Sequence, residues 1–313
     1  MQIQQLSYFV AVARTRHFTR AAEAAGVAQP TLSKQIRVLE NTVGVALFVR
    51  DRGGIALTPA GEALLPHAQR IVIDVENAKH AVQEVAGMRR GRVRLGATPS
   101  LCDGLLADAL RRFHDKYPGI DVRVEEGGSR DLTRSLVRGQ LDMALVIVPL
   151  HDDAPDLETT PILRESLVLA SPADAPAASE PMAIADLRDQ PLVMFREGYD
   201  LREVTMNACH AAGFEPNLSV EGGEMNAVLR FVEAGLGVAV VPSMVLSTRP
   251  KLRATLLEPP RLERTIALAH RRADTLPQTA VAFKQDLIDH LAALPADALG
   301  DDLRLLAGET VTT

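Results

Sequence analysis

The sequence has no tryptophan and few other aromatics, with three tyrosines and eight phenylalanines in 313 residues. A core must therefore come from leucine, valine and alanine, and the 47% apolar content is ample for that. Cysteine is almost absent. Cys102 and Cys209 lie far apart with no CxxC, so neither a zinc site nor a disulfide framework is indicated. No apolar run reaches the roughly 18–20 residues of a membrane span. The start, MQIQQLSYFVAVARTRH, has polar residues where an export signal carries a basic head and an apolar block. These absences predict a cytoplasmic protein without a membrane partner. P-loop, strand-linked GxGxxG, HExxH and GxSxG motifs are missing too, and Gly235-Leu236-Gly237 lacks a third glycine and the strand context. Enzyme chemistry is disfavoured, and no cofactor is expected. His151-Asp152-Asp153 has metal-ligand side chains but sits in a proline-rich loop, where solvation is the simpler reading.

What is present is unevenly charged. Residues 1–58 hold seven Arg or Lys against three acids, a local +4, while the whole chain carries −6, leaving −10 for the remainder. A basic head on an acidic body fits a nucleic-acid-binding module joined to a different one. Chance fluctuation explains the asymmetry equally well until further features are added.

The head supplies them. Leu6, Phe9, Val10 and Ala13 fall at i, i+3, i+4 and i+7 and predict a helix over residues 3–14. Thr19 is placed to cap a short second helix, and Gly26 to leave it in a left-handed conformation. Pro30 suits the first turn of a third helix, whose buried stripe is Leu32, Ile36, Leu39 and Val43. At about 100° per residue, Pro30, Lys34, Arg37 and Asn41 project from the opposite side, flanked by Thr31 and Ser33. Helix, tight turn and donor-rich helix make a helix-turn-helix, whose second helix enters the major groove of double-stranded DNA. Lys34 suits guanine O6/N7 and Gln29 suits adenine. Thr19, with Arg20 beside it, and Arg37 are placed for phosphates. ALFVRDRGGIALT predicts two short strands around Asp51-Arg52-Gly53-Gly54, a wing with a basic tip. A three-helix domain with a merely solvated charged face is the plain alternative, and turn, cap, basic face and hairpin together weigh against it.

The stretch FTRAAEAAGVAQPTLSKQIRVLENTVGVALFVRDRGGIALTPAG, residues 18–61, resembles the winged helix-turn-helix of LysR-type transcriptional regulators. That resemblance implies that Gln29, Pro30, Ser33 and Lys34 face bases and that Arg50 and Arg52 belong to the wing. It implies a homo-oligomer, dimer or homotetramer, that binds promoter DNA sequence-specifically, answers to a small effector and meets RNA polymerase. Two departures stand out. Ala28 replaces a common serine, removing a potential cap, and Lys34 replaces a commoner arginine, trading a bidentate fork for a point charge.

Thr58 and Pro59 open a long helix. Leu64, Ala68, Ile71, Val75, Ala78, Val82 and Val85 alternate at spacings of four and three, the narrow seam of a helix with one partner helix. A core helix within the chain is the alternative, and Pro66 is expected to kink it. The family resemblance implies a dimerising linker helix here. GMRRGRVRLG then reads as a hinge. Beyond it, strands at 93–97, 122–126, 143–148, 192–195, 218–221, 238–241 and 265–269 alternate with helices at 101–117, 132–138, 201–212, 225–234 and 278–291. This alternation predicts parallel α/β sheets. It also resembles the family's periplasmic-binding-protein-like effector domain, two lobes around a cleft. The fold class is thus mixed: a winged helix-turn-helix over 1–58, a linker helix over 59–87, a hinge over 88–92, a two-lobed α/β domain over 93–295 and a tail over 296–313. A solute-binding protein would share the two lobes, but not the basic head.

Ligands of open α/β sheets bind at strand ends and helix starts. Thr98 and Ser100 follow the first strand, Ser129 opens a helix, and Phe195 and Arg196 follow a later strand, with Asp200 and Glu203 as a capping box. Such helix starts suit a carboxylate or another small anion, although an ordinary cap is the simpler role for each serine. The resemblance implies that Ser100 and Ser129 line the effector pocket with Phe195, Arg196 and Met225 nearby. YDLREVTMNACHAAG also looks somewhat like the segment that carries two reactive cysteines in peroxide-sensing members, which raises control of oxidative-stress genes by a thiol as an alternative. Asp200 stands where the first of those cysteines falls, and only Cys209 remains. Cys102, in a helix's first turn, is the other thiol to weigh.

Overall fold

Three helices open the chain in the computed structural model: α1 (Ile3–Thr15), α2 (Phe18–Ala24) and α3 (Gln29–Val43). Leu6, Phe9 and Val12 of α1 meet Ala21 and Ala22 of α2 and Leu32, Ile36 and Leu39 of α3 in one core. Val43 does not complete that stripe: it is 37% exposed, because α3 ends there, with Gly44 in the left-handed region at φ +78°. Gly26 leaves α2 with φ +65°, as expected. The cap of α2 is His17 rather than Thr19. Its Nδ1 accepts from the Thr19 and Arg20 backbone N–H groups at 3.2 and 3.5 Å, which makes Thr19 a helical residue two positions inside the cap. Strands β1 (Phe48–Asp51) and β2 (Gly54–Leu57) pair antiparallel from Phe48↔Leu57 to Asp51↔Gly54. Phe48 fastens the hairpin to the helices through rings of Phe9 and Phe18 at 5.2 and 5.9 Å.

Helix α4 (Pro59–Val85) opens as the sequence predicts, with Thr58 Oγ1 accepting from Gly61 N–H at 3.1 Å. Gly61 is needed there, since a Cβ would lie 2.3 Å from the Leu47 carbonyl oxygen. The helix passes through Pro66 without a break. Its predicted seam divides: Leu64 and Ala68 join the core of the first three helices, whereas Ile71 and Val82 are 36% and 71% exposed.

The remaining elements are β3 (Gly91–Ala97), α5 (Pro99–Leu101), a π-helical turn (Cys102–Leu106), α6 (Ala107–Lys116), β4 (Ile120–Glu126), α7 (Ser129–Val137), β5 (Met143–Val148) and β6 (Leu157–Pro172). They are followed by β7 (Leu192–Met194), α8 (Asp200–Ala211), β8 (Leu218–Glu221), α9 (Met225–Glu233), β9 (Ala239–Pro242), β10 (Leu252–Thr255), β11 (Glu263–Arg271), α10 (Gln278–Ala293) and β12 (Leu303–Leu305). The chain divides into two compact units, residues 1–88 with 135–141 and residues 89–134 with 142–313.

The sheets are mixed rather than purely parallel. β3 pairs parallel with β4 and β5, and β7 with β8, but β11 runs antiparallel to both β5 and β6. β6 is the element that makes two lobes. Residues 157–166 pair with β11 in the first lobe, and residues 167–172 pair with β9 and β10 in the second. Pro161 lies inside β6, and the ladder steps over Ile162 at a bulge, a position where a strand tolerates proline. β12 adds a short antiparallel strand to β6, with Leu303 opposite Glu165. In the first lobe α10 packs on β3 and α6, where Phe113 and Phe283 meet edge-on at 5.2 Å.

The structure describes residues 1–51, 54–85, 91–150, 156–176, 181–259, 261–272, 276–293 and 303–306. Arg52, the Arg50 side chain, His151-Asp152-Asp153 and most of the predicted tail lie outside the described residues. So does the hinge up to residue 90, and residues 91–92 belong to β3 instead.

Candidate functional site

Two places collect the predicted residues. The first is a groove between α3 and the hairpin, lined by Gln29, Pro30, Ser33, Lys34 and Arg37 on one side and Val49 and Ile55 on the other. Burying Leu32, Ile36 and Leu39 turns these side chains outward: Gln29, Pro30, Thr31, Lys34 and Arg37 are exposed and Ser33 is half-buried. Gln29 Nε2 donates to Ser33 Oγ at 2.7 Å, one turn on, which aligns two polar groups along the face. Ala28 provides no side-chain cap, as the sequence indicates. Among the described residues Lys34 and Arg37 make no ion pair. The nearest acid on α3, Glu40, is engaged elsewhere, its Oε1 accepting from Leu47 and Phe48 N–H at 2.9 and 3.3 Å. Thr19 and Arg20 are exposed on α2 but do not line the groove.

The second place is a cavity of about 220 Å³ between the lobes. Thr98, Ser100 and Ser129 line it from the first lobe and Arg196, Tyr199 and Leu201 from the second, while Arg264 lines it from β11. Four of the six effector-site candidates, Thr98, Ser100, Ser129 and Arg196, thus converge. Phe195 and Met225 are core residues, 1% and 0% exposed, and do not line the cavity. Phe195 stacks flat on Tyr199 at 4.8 Å, so Tyr199 is the ring that faces the space.

The serines are not helix caps. Ser100 Oγ accepts from Arg264 Nη1 at 2.8 Å, and Ser129 Oγ accepts from Ile147 N–H at 3.2 Å, tying α7 to β5. Nor do Asp200 and Glu203 form a capping box. Tyr199 occupies the cap position of α8 without a side-chain cap bond, and both acids lie in the first turn. Glu203 Oε1 instead stands 3.7 Å from Arg130 Nη2 on α7. Burial pushes the Tyr199 hydroxyl well above the usual phenol range, and the nearby Arg264 charge opposes this. A neutral phenol therefore faces the space.

Sequence reading missed the floor of this cavity. Glu165 is fully buried, and its Oε2 accepts from Arg264 Nε at 2.8 Å. Its Oε1 accepts from Met244 N–H at 2.8 Å and from Ser243 Oγ at 3.4 Å in the second lobe. The signal was a pair of charges leading each of two apolar stretches, Arg164-Glu165 before SLVLA and Glu263-Arg264 before TIALA. It becomes legible only once both are known to be neighbouring strands, with Arg264 opposite Glu165.

Burial holds both thiols above their ordinary value. Cys102 is pushed up to about 11 by burial and by the charges of Glu126 and Asp103. Cys209 is raised by burial and then by Glu215. Among the described residues no group of His, Cys, Asp or Glu is arranged to hold a metal ion, and no helix is long and apolar enough to cross a membrane.

Comparison with known proteins converges on one family. Residues 3–62 match the bacterial regulatory helix-turn-helix proteins of the lysR family, and residues 86–292 match the LysR substrate binding domain. The transcriptional dual regulator GltC of Bacillus subtilis is 31% identical over 297 residues, covering 94% of this chain and 99% of GltC. The DNA-binding transcriptional dual regulator OxyR of Escherichia coli is 30% identical over 280 residues, covering 88% and 91%. Among solved structures, a full-length OxyR from Pseudomonas aeruginosa superposes with a TM-score of 0.73 at 27% identity, covering 94% of this chain and 95% of that one. Full-length CbnR in complex with its target DNA gives 0.69 at 26% identity, covering 92% and 99%. Both halves match in the expected order, and the chain belongs to the LysR family of bacterial helix-turn-helix transcriptional regulators.

Proposed function

We propose that this regulator binds promoter DNA as a homo-oligomer, a dimer or tetramer, and answers to a small effector, anionic in character, held between the lobes of its second unit. The observation that carries the DNA half is the groove in which Gln29, Pro30, Ser33, Lys34 and Arg37 face outward together, its two cations making no ion pair among the described residues. Seated in a major groove, Gln29, Pro30, Thr31, Ser33 and Lys34 reach base edges. Thr19, Arg20 and Arg37, with Arg50 and Arg52 of the wing, take phosphates, which position the protein without specifying sequence.

Residues 1–58 are the DNA-binding domain in this reading, 59–87 the linker and 93–295 the effector domain. The exposed Ile71 and Val82 on α4 support pairing of linker helices, which places two reading heads on two half-sites. Effector binding changes the closure of the lobes and, through the linker, the spacing of the heads on bent DNA, where RNA polymerase meets them. Thr98, Ser100, Ser129 and Arg196 are the effector contacts, with Phe195 and Met225 supporting them from the core. A thiol switch has no comparable support, although relatives include regulators of peroxide-inducible genes, because Asp200 stands where the first of the two reactive cysteines falls and burial raises both thiols that are present.

The test separates the two halves. Gel shifts on the upstream region of the protein's own gene should show Lys34→Ala losing preference for that duplex over a scrambled one. Native mass spectrometry should show Ser100→Ala losing small molecules retained by the wild type, with its DNA affinity unaltered. Loss of both properties in either variant contradicts this division.

A further inference from the structure

The last described strand lies beyond the family match, which ends at residue 292. β12 runs antiparallel along β6, with Leu303 opposite Glu165, Arg304 opposite Arg164 and Leu305 opposite Leu163. Leu306 N–H then donates to the Ile162 carbonyl at 3.0 Å. Ile162 is the residue that the β11 ladder steps over, so this segment bonds to the bulge that β11 leaves out. An alternating pattern seats it. Leu303 and Leu305 pack on the core of the second unit, Arg304 is exposed between them, and Leu306 is 2% exposed. Pro161, next along β6, has no N–H to extend the ladder.

The place matters more than the length. β11 already pairs with residues 163–165 from the other side, so β12 leaves this part of β6 laddered on both edges. From Leu167 onward β6 belongs to the second lobe, paired with β9 and β10. The segment therefore grips the crossing strand two residues short of the point where the lobes part. Residues directly opposite one another share a face of a sheet, so Arg264, Glu165 and Leu303 stand in one row across three strands. Leu303 thus closes the buried Glu165–Arg264 pair on the side away from β11. Glu165 is also the residue that holds Met244 N–H and Ser243 Oγ of the second lobe.

Resting on the lobe closure proposed above, we infer that Leu303–Leu306 is a strap that restrains rotation of the lobes about β6. Domain closure is absorbed by backbone changes at a few hinge residues. A strand bonded on both edges resists such changes, because they break ladder bonds, whereas a strand with a free edge opens locally at lower cost. Three ladder residues and one further bond make a hold short enough to yield. The strap therefore sets how readily the lobes move, and the space between them needs no residue from it.

Hydrogen exchange of the full chain beside a chain ending at Ala293 tests this. Losing the strap should speed exchange across residues 162–166 at least tenfold, while α1 to α3 exchange as before. Spin labels at the exposed Arg111 on α6 and Thr248 before β10 report lobe motion. Both native cysteines are replaced by serine and labelled chains are diluted in unlabelled ones. The distance distribution should widen at least twofold without the strap. Leu303→Glu in the full chain sets a carboxylate opposite Glu165, a destabilising like-charge pair, and should reproduce both changes. Leu303→Val should leave both as in the wild type. A synthetic peptide of residues 300–308, added to the shortened chain, should restore slow exchange by strand addition, and the same peptide carrying Leu303→Glu should not. Unaltered exchange or label distances in the shortened chain, or equal effects of Leu303→Val and Leu303→Glu, would overturn the inference. So would a shortened chain that no longer melts cooperatively, since the segment would then be part of the core and not a restraint upon it. The effector reading itself fails separately, when retained small molecules are indifferent to Ser100→Ala.

Discussion

Lys34 and Arg37 stand in water on α3 and form no ion pair among the described residues, their groove neighbour Glu40 being bonded to the Leu47 and Phe48 N–H groups, whereas Arg94, Arg202, Arg249 and Arg264 in the second unit each lean on an acid within 4 Å. The same residue chemistry is being used for two purposes. An exposed, unpaired cation keeps its charge for a polyanion and gains when counterions leave the phosphates. A paired one has spent its charge inside the fold, and what it contributes is geometry. That is how a chain with formal charge −6 can carry a DNA-reading surface.

The contrast is sharpest where a pair is broken. Glu165→Ala leaves Arg264 buried without its partner and should cost about 3–5 kcal/mol, lowering the melting temperature by roughly 10 °C. A melting curve like that of the wild type would mean that the pair is not fixing the lobes. Next in size, Lys34→Ala should cost about 1–3 kcal/mol on a cognate duplex and little on a scrambled one, measured by fluorescence anisotropy. Arg37→Ala should instead weaken both duplexes alike and make the salt slope shallower by about one. If the two variants behave identically, base readout and phosphate contact are not divided along α3 in this way.

Smaller effects probe local structure. His17→Ala removes the side-chain cap of α2 and should cost about 1 kcal/mol in denaturant unfolding, with His17→Asn restoring most of it. Cys102 should alkylate slowly with iodoacetamide at pH 8, since its ordinary value of 9.0 is raised to about 11. The sign follows from linkage: the folded state holds the thiol proton more tightly, so this stabilisation is complete below pH 9 and fades as pH rises through about 11. Rapid alkylation of the folded protein at pH 8 would reopen thiol chemistry.

The first unit was legible because its signals are local. Gly26, Pro30, the Leu32, Ile36 and Leu39 stripe and the hairpin are each set by residues within a turn or two of one another. The second unit was legible in its helices and in its buried parallel strands, and β5 fell where the sequence placed it. What escaped was long-range. β6 has a polar first half with Pro161 inside it, which argues against a strand until a partner with a bulge at Ile162 is in view. Arg264 lies just before the strand predicted at 265–269, and its contact with Glu165 had no sequence signature. Ser100 was found from its place after a strand, and its hydroxyl serves Arg264 rather than capping a helix, the plainer role the sequence offered. His17 was overlooked as a cap because imidazole is an uncommon acceptor at that position.

The most direct measurement is the affinity of the full chain for a duplex from its own upstream region, titrated across roughly 50–200 mM salt. The affinity should fall linearly on a logarithmic plot, by about 0.9 per phosphate neutralised, and Lys34→Ala should erase the preference over a scrambled duplex. No salt-dependent binding at any workable concentration, or a preference untouched by Lys34→Ala, would contradict the assignment of DNA reading to the outer face of α3.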